Sequence, residues 1–319
     1  MAAGDWTTVT VTAGRLEAGQ VISLTLEAAE ALPAWEPGAH FDVRLPSGLI
    51  RQYSLCGDPA DPAYTIAVLR ETGGRGGSAE IHDTALLGRT LDIRGPRNHF
   101  RLEPAASYVF IAGGIGITPI LPMVRAAAIA GASWHLHYGG RTTGSMAFRA
   151  ALPEAGATGT VALRTDDRDG PLPLPEIVRD APAGSHLYAC GPAGLLTALR
   201  SAAAERPDLD LRVERFTAGE SGDGAKDVTP GGAFEVELAG SGETVTVTPG
   251  TSILDAVRGL RPDVLFSCEE GFCGTCETKV LEGEPVHRDT ILTGKERERN
   301  TTMMICVGGC ASPRLVLDL

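Results

Sequence analysis

The stretch Cys268-Glu-Glu-Gly-Phe-Cys273-Gly-Thr-Cys276 decides the fold of the C-terminal part of this chain. A further cysteine, Cys306, follows after 29 intervening residues. The spacing C-x4-C-x2-C with a distant fourth cysteine is the plant-type ligand pattern of a [2Fe–2S] cluster. Thiolates are soft ligands that suit such centres, and Gly271 and Gly274 let the loop curl around them. We therefore predict a cluster that carries one electron at a time.

Zinc and purely structural thiols are the alternative interpretations of these cysteines. Zinc sites usually recur as paired C-x2-C units, and this chain has one such pair. We therefore adopt the iron–sulfur interpretation.

Length, charge and cysteine content predict the number of domains, the kind of partner and the location of the protein. A length of 319 residues predicts two or three domains. The 28 Lys and Arg residues stand against 40 Asp and Glu residues, a net charge of −12, which argues against nucleic acid and anionic membranes as partners. We expect neither a secretory signal nor a membrane span. With four of seven cysteines assigned to metal, a cytoplasmic location is predicted.

The first hundred residues have the pattern of an all-β domain. Short runs rich in Val, Thr, Leu and Ile alternate with turns that contain Gly and Pro, which is typical of a small antiparallel barrel. The runs lie at residues 7–12, 21–26, 40–45, 64–69 and 90–93. We predict an antiparallel β-barrel over residues 1–103.

Residues 104–216 alternate between strands and helices instead. We predict strands at 108–112, 134–138, 161–165, 186–190 and 211–216, and helices at 119–130 and 194–205. This alternation indicates an α/β domain with a parallel sheet covered on both faces. Residues 217–232 are polar and rich in Gly, as a linker would be. Residues 233–319 have the turn and strand count of a β-grasp ferredoxin domain.

Two loops end strands of the predicted parallel sheet. Gly113-Gly114-Ile-Gly116-Ile-Thr118-Pro119 follows one strand, and Cys190-Gly191-Pro192 follows another. Helix starts attract anions, and glycine lets a pyrophosphate approach the backbone. Because Pro119 replaces the last glycine of G-x-G-x-x-G, the first loop alone could be a simple turn. Together, the two loops predict a nicotinamide nucleotide crevice.

Two motifs in the barrel predict a second ligand, with a phosphate and a planar ring. Arg51-Gln-Tyr53-Ser54-Leu55 places a cation, an aromatic ring and a hydroxyl on one short strand. Gly73-Gly-Arg-Gly76-Gly77-Ser78 precedes a predicted helix at 79–87, and we expect Ser78 to cap this helix and to bind phosphate. Taken singly, either motif is also compatible with ordinary turn chemistry.

The content and order of these motifs resemble one family. Arg-Gln-Tyr-Ser-Leu, Gly-Arg-Gly-Gly-Ser, Gly-Gly-Ile-Gly-Ile-Thr-Pro, Tyr-Ala-Cys-Gly-Pro, Glu214-Arg-Phe216 and the cysteine loop follow one another as in the phthalate dioxygenase reductase family, which includes vanillate demethylase reductases. The match covers essentially the whole chain. It implies an FMN barrel, an NAD domain and a C-terminal [2Fe–2S] ferredoxin domain.

The resemblance also implies the binding residues of both cofactors. The FMN set is Arg51, Tyr53, Ser54, Val68, Leu69, Arg70, Gly76, Gly77, Ser78, Thr118 and Phe216. The NAD set is Gly114, Gly116, Arg141, Asp166, Cys190, Gly191 and Pro192. Three of these are catalytic candidates: Ser54 at the flavin edge, Cys190 beside the nicotinamide, and Phe216 over the flavin face. Cys190 could equally be a small buried strand residue, and a Phe at the end of a C-terminal strand is often a core residue.

The resemblance implies that NADH gives a hydride to the flavin, which passes single electrons to the cluster. Asp166 and Asp167 follow a predicted strand where the adenosine ribose is expected. Carboxylates there favour a free 2′-hydroxyl and repel a 2′-phosphate, although Arg141 and Arg164 lie close enough in sequence to weaken the argument. We predict NADH as the donor.

The predicted function is an NADH-dependent reductase that feeds a separate terminal oxygenase, foremost a Rieske-type aromatic oxygenase or O-demethylase. The alternatives are a cytochrome P450 as partner, an FAD-containing variant, and a redox sensor without turnover. Residues 234–319 contain 8 basic and 14 acidic residues. This excess is either ordinary solubility or an acidic docking face for a basic partner. We expect a monomer.

One departure from the family concerns the last ligand. Relatives continue Cys-Val-Ser-Arg-Ala, whereas this chain has Cys306-Val-Gly-Gly-Cys310-Ala. Cys310 is therefore a competing ligand or a free thiol. Family position assigns the ligand role to Cys306.

Overall fold

A computed structural model describes residues 6–72, 76–153, 158–216, 232–266, 268–271, 273–292 and 294–319. The chain divides into two compact units, Met1–Phe216 and Thr217–Leu319. The predicted linker at 217–232 lies outside the described residues except for Gly232, and so do residues 73–75 of the predicted phosphate loop. The division of the first unit at residue 103 stays a prediction.

The N-terminal part of the first unit is an antiparallel barrel, as predicted. Its strands are β1 (Thr7–Ala18), β2 (Val21–Glu27), β3 (His40–Arg44), β4 (Ile50–Ser54), β5 (Tyr64–Leu69) and β6 (Thr90–Arg97), with helix α1 (Gly77–Asp83) before β6. Their order is β4-β3-β6-β1-β2-β5. An isolated bridge between Leu55, which follows β4, and Ile66 of β5 joins the two outer strands. Alternating side chains such as Val9 and Val11 fill the interior.

A parallel five-stranded sheet forms the rest of the first unit. Its strands are β7 (Ser107–Gly113), β8 (Ser133–Gly140), β9 (Gly159–Thr165), β10 (His186–Cys190) and β11 (Asp210–Glu214), in the order β11-β10-β7-β8-β9. The helices are α2 (Ile117–Ile129), α3 (Asp166–Asp169), α4 (Leu174–Asp180) and α5 (Ala193–Ala203). Phe110 of β7 packs with α2, whereas Val109 and Ile111 pack with α4 and α5. Both faces are therefore covered, as predicted.

Two local predictions about this unit are wrong. Helix α1 begins at Gly77 because Gly76, with φ 83°, occupies the cap position, so Ser78 lies inside the first turn. Its Oγ instead accepts a hydrogen bond from the Glu71 N–H at 3.1 Å. The last strand ends at Glu214, so Phe216 lies two residues beyond it.

The second unit is built on a mixed five-stranded sheet. Its strands are β12 (Phe234–Leu238), β13 (Thr244–Val247), β14 (Glu277–Glu282), β15 (Pro285–Val286), β16 (Thr302–Met304), β17 (Gly309–Cys310) and β18 (Arg314–Leu317), and its helices are α6 (Ile253–Arg258) and α7 (Gly294–Arg299). The main sheet has the order β13-β12-β18-β14-β16, with β12 and β18 parallel. Helix α6 buries Ile253, Leu254 and Val257 against this sheet. Among the described residues, no helix is both long enough and apolar enough to cross a membrane.

Candidate functional site

The two predicted nucleotide loops lie side by side in the first unit. Strands β7 and β10 are neighbours, and the chain continues outward from them in opposite directions, so their C-terminal ends form the switch point of the sheet. A Cβ atom on Gly116 would lie 2.1 Å from the Cys190 carbonyl oxygen. Gly114 has φ 56°, and no described atom lies within 4 Å of the position of its missing Cβ. Gly116 therefore packs the loops together, whereas Gly114 leaves the crevice open.

Glu214 and Ser54 form a hydrogen-bonded pair of side chains at this end of the sheet. Ser54 is buried at the end of β4, and Glu214 ends β11. The Oε2 atom of Glu214 is buried and has no hydrogen-bond partner among the described residues. Burial raises the pKa of Glu214 to about 8, against the opposing effect of the Ser54 hydrogen bond. A neutral carboxyl can therefore persist here at neutral pH.

Cys190 is the neighbour of Glu214 in register across β10 and β11. It is fully buried, and burial followed by the nearby Glu214 carboxyl raises the pKa of its thiol well above the usual value. Cys190 is thus an uncharged thiol, as either a core residue or a nicotinamide contact would be. The structure brings together two of the three catalytic candidates, Ser54 and Cys190, through Glu214.

Glu214 is the functional candidate that sequence reasoning missed. It entered only as part of the motif Glu214-Arg-Phe216 and not as a site residue. A signal was present, because the predicted strand at 211–216 has a single carboxylate near its C-terminal end, on a sheet whose other strand ends form the ligand crevice. Its partner Ser54, however, lies 160 residues earlier in the chain and could not be identified from spacing.

Phe216 and Thr118 make packing and hydrogen-bond contacts within the first unit. Phe216 is partly buried and packs against the core that contains Tyr108 and Phe110. The Thr118 hydroxyl is buried and donates a hydrogen bond to the Ile115 carbonyl oxygen at 3.0 Å. Thr118 is therefore engaged in the first turn of α2.

The predicted phosphate residues of the barrel converge at the start of α1. A Cβ atom on Gly77 would lie 2.6 Å from Cγ and 2.7 Å from Nε of Arg51, so the arginine side chain runs directly over this glycine. Arg70, at the end of β5, forms an ion pair with Asp83 at the end of α1. Nε2 of His82 lies 3.0 Å from the Val68 carbonyl oxygen. The Arg70–Asp83 ion pair and the His82 contact thus link helix α1 to β5 and the residue that follows it. The start of the helix lies against Arg51.

Tyr53 and Leu69 are the remaining barrel candidates. Tyr53 lies on β4 and packs partly against the barrel core, and burial raises the pKa of its phenol. Leu69 pairs with Val21 in the register of β5 and β2. An uncharged tyrosine ring beside Ser54 suits the face of a planar ligand.

Charged residues of both signs follow the C-terminal ends of β8 and β9. Arg141 follows β8, and its carbonyl oxygen accepts a hydrogen bond from the Asp167 N–H at 3.2 Å. Asp166, the first residue of α3, is exposed. Arg164 donates to the carbonyl oxygens of Asp169 and Gly170, the latter at 3.0 Å. Arg164 therefore closes this turn, while the Arg141 side chain is exposed.

The four predicted ligand cysteines converge in the second unit, and all are buried. Their thiols are in hydrogen-bond contact as the pairs Cys268–Cys273, Cys276–Cys306 and Cys268–Cys306. Contact with Cys268 raises the pKa of Cys273 and Cys306, and contact with Cys306 lowers that of Cys276. Iron binding would replace these thiol protons.

The backbone around these thiols suits a cluster. The Glu270 N–H donates to Cys268 Sγ at 3.3 Å, and Thr275 N–H donates to Cys273 Sγ at 3.5 Å. Gly271 and Gly274 have φ 72° and 75°. Among the described residues, no group of three or more His, Cys, Asp or Glu side chains has the geometry to hold a single metal ion. The thiol pairs Cys268–Cys273 and Cys276–Cys306 fit the two irons of a [2Fe–2S] cluster, and the third contact, Cys268–Cys306, joins the two pairs.

Cys310 points away from this arrangement. Its thiol, on β17, donates a hydrogen bond to the Ser312 carbonyl oxygen at 2.8 Å. The contacts of Cys306 with two other cysteines favour Cys306 as the fourth ligand.

Comparison with known proteins gives relatives over nearly the whole chain. Residues 236–308 match the family described as 2Fe-2S iron-sulfur cluster binding domain. Phenoxybenzoate dioxygenase subunit beta of Ectopseudomonas oleovorans is 42% identical over 94% of this chain and 92% of its own length. Vanillate O-demethylase oxidoreductase of Pseudomonas sp. (strain HR199 / DSM 7063) is 38% identical over 98% of this chain and 99% of its own length.

Two solved structures share the architecture. Phthalate dioxygenase reductase, described as a modular structure for electron transfer from pyridine nucleotides to [2Fe-2S], aligns with a TM-score of 0.69 and 33% identity over 98% of both chains. An intact type IV self-sufficient cytochrome P450 monooxygenase aligns with a TM-score of 0.89 and 41% identity over 98% of this chain. This chain spans 41% of that larger protein. The predicted combination of barrel, nucleotide domain and ferredoxin domain is confirmed, and the chain belongs to the phthalate dioxygenase reductase family of flavin and iron–sulfur oxidoreductases.

Proposed function

We propose that this protein is the NADH-dependent reductase of an oxygenase system and that it carries FMN and a [2Fe–2S] cluster. When bound, these groups convert the two-electron hydride of NADH into single electrons for a terminal oxygenase. The observation that carries the proposal is the meeting of Ser54, Cys190 and Glu214 at the ends of β4, β10 and β11, where barrel and parallel sheet adjoin. This arrangement suits a flavin ring that faces a nicotinamide.

The residues of the chain bind and orient the two ligands. Arg51 and the glycines at the start of α1 hold the flavin phosphate, and Tyr53 covers the ring. Ser54 hydrogen-bonds the reacting edge of the flavin, while Glu214 keeps Ser54 oriented. Cys190 supplies an uncharged surface for the nicotinamide. Release of the flavin and measurement of its mass distinguish FMN from FAD.

NADH rather than NADPH is supported by the charges near α3. Asp166 and Asp167 would repel a 2′-phosphate. The Arg164 guanidinium donates its hydrogen bonds to two carbonyl groups of the same turn. Asp166→Ser should raise kcat/KM for NADPH relative to NADH, whereas Glu176→Ser, on the exposed surface of α4, should leave the ratio unchanged. An unaltered preference in Asp166→Ser would remove this residue from selection.

A Rieske-type aromatic oxygenase or O-demethylase is the proposed electron acceptor. The names of two relatives, a dioxygenase subunit and a vanillate O-demethylase oxidoreductase, support this choice. A cytochrome P450 is the second candidate, supported by the 41% identity with part of a self-sufficient P450. We propose that the acceptor docks on the acidic ferredoxin unit of a monomeric, cytoplasmic reductase. Reconstitution with each acceptor class distinguishes the two.

An anaerobic titration with NADH tests the core of this proposal. We expect flavin bleaching and a rhombic EPR signal at low temperature. Bleaching without that signal, with zinc in place of iron, would refute the cluster assignment. Failure to reduce ferricyanide or cytochrome c with NADH would favour the redox-sensor alternative.

A further inference from the structure

Glu269, next to the cluster ligand Cys268, has an unusual backbone conformation. Its φ is 59°, in the left-handed region that non-glycine residues seldom occupy. The following peptide N–H, of Glu270, donates to Cys268 Sγ at 3.3 Å. Such a conformation persists only where surrounding contacts enforce it, and it is frequent at functional sites.

Arg258 supplies the enforcing contacts. From the last turn of α6, its Nη2 donates to Glu269 Oε1 at 2.8 Å and its Nη1 to Asp255 Oδ1 at 3.2 Å. Its guanidinium carbon lies 3.6 Å from the centroid of the Phe266 ring. Arg258 therefore contacts the chain on both sides of Cys268. Helix α6 holds Arg258 in place, because the apolar face of the helix is buried and Ser252 caps its N-terminus.

We propose that Arg258 is a positioning residue for the cluster, which holds Glu269 in the left-handed conformation and thereby keeps the Glu270 N–H on Cys268 Sγ. The proposal rests on the assignment of Cys268 as a ligand. A hydrogen bond to a ligand sulfur stabilises the extra negative charge of the reduced cluster and so raises its reduction potential. Loss of this alignment makes the cluster harder to reduce.

Two substitutions at Glu269 separate backbone positioning from charge. Glu269→Ala and Glu269→Gly remove the same carboxylate, but only glycine adopts φ 59° without steric cost. We expect the equilibrium constant for reduction to be about tenfold lower in the alanine variant than in the glycine variant, which is about 59 mV for a one-electron couple. EPR-monitored redox titration of the holoenzyme measures this difference.

Substitution of Arg258 completes a double-mutant cycle. Arg258→Ala should lower the potential more in the wild-type background than in the Glu269→Gly background. Arg261→Ala is the matched control, because Arg261 forms a comparable ion pair with Asp263, in which Nε lies 3.0 Å from Oδ1. It should leave the potential unchanged.

Equal potentials for Glu269→Ala and Glu269→Gly would overturn the proposal, and so would equal effects of Arg258→Ala in both backgrounds. If only the glycine variant retains the cluster, the proposal is supported. If neither retains it, the carboxylate rather than the backbone is required, and the proposal fails. Flavin reduction by NADH reports on the first unit, and a wild-type protein without the [2Fe–2S] signal would refute the ligand assignment instead.

Discussion

Ser54 and Glu214 are hydrogen-bonded to each other, although one ends a strand of the barrel and the other ends the last strand of the parallel sheet. The pair connects the two sheets of the first unit where the ligand loops converge. The buried Oε2 atom of Glu214 has no second partner among the described residues. Because it is buried, the Glu214 carboxyl remains protonated near neutral pH.

Glu214→Gln should leave the rate of flavin reduction by NADH at pH 7 within about threefold of the wild-type rate, less than about 1 kcal/mol on the barrier, because glutamine matches the protonated carboxyl in shape and charge. In the wild-type protein the rate should fall as pH rises through about 8, because ionisation then places a negative charge in the site. Glutamine cannot ionise, so the variant should lack this fall. Stopped-flow absorbance from pH 6 to 9.5 measures both effects. Glu176→Gln serves as the control, and a persistent fall in the glutamine variant would assign the titration elsewhere.

Ser54→Ala should reduce the rate of hydride transfer more than it weakens NADH binding, because the hydroxyl orients the flavin edge and not the nucleotide. The dependence of the stopped-flow rate on NADH concentration separates the two quantities. Unchanged limiting rates would remove Ser54 from the mechanism.

The contribution of Glu214 to the stability of the first unit should decrease between about pH 4.5 and pH 8. Over this window the folded state keeps the Glu214 proton, since the pKa is raised from 4.5 to about 8, whereas the unfolded chain has released it. The folded state binds more protons, so the free energy of unfolding falls as pH rises. Glu214→Gln should flatten this part of the profile. Parallel urea-unfolding profiles for both proteins would contradict the assignment.

Cys273→Ser should abolish the cluster and leave flavin reduction by NADH intact, because the flavin residues lie in the other unit. Iron content and EPR measure the first effect, and anaerobic absorbance measures the second. Cys310→Ser is the matched control and should retain the cluster, since the Cys310 thiol donates a hydrogen bond to the Ser312 carbonyl oxygen. A normal cluster spectrum in Cys273→Ser would exclude Cys273 as a ligand.

Gly116→Ala should destabilise the first unit by about 1–3 kcal/mol, the usual cost of overpacking. The added methyl group would lie 2.1 Å from the Cys190 carbonyl oxygen, so backbone must move. Gly194→Ala, in α5, is the contrasting substitution: no described atom lies within 4 Å, and alanine favours helix by up to about 1 kcal/mol. Thermal unfolding of both variants tests the contrast, and similar melting temperatures would contradict it.

Local patterns in the sequence were sufficient to predict the architecture. The cysteine spacing, the alternation of strands and helices and the glycine loops all arise from residues close together in the chain, and backbone geometry converts such patterns into elements with little outside influence. The barrel, the parallel sheet and the convergence of four cysteines could therefore be predicted. The exact start of α1 could not, because Gly76 rather than Ser78 holds the conformation needed at the cap.

Contacts between distant residues required the folded chain. The pairing of Ser54 with Glu214 and the packing of Gly116 on Cys190 both depend on how strands align. The Arg258–Glu269 contact likewise depends on where α6 lies beside the cysteine loop. Spacing specifies which residues can form an element, but burial and proximity determine which of their side chains share a site and how their protons are held. For that physical reason the burial of Glu214 and its pairing with Ser54 could be seen only in the folded chain.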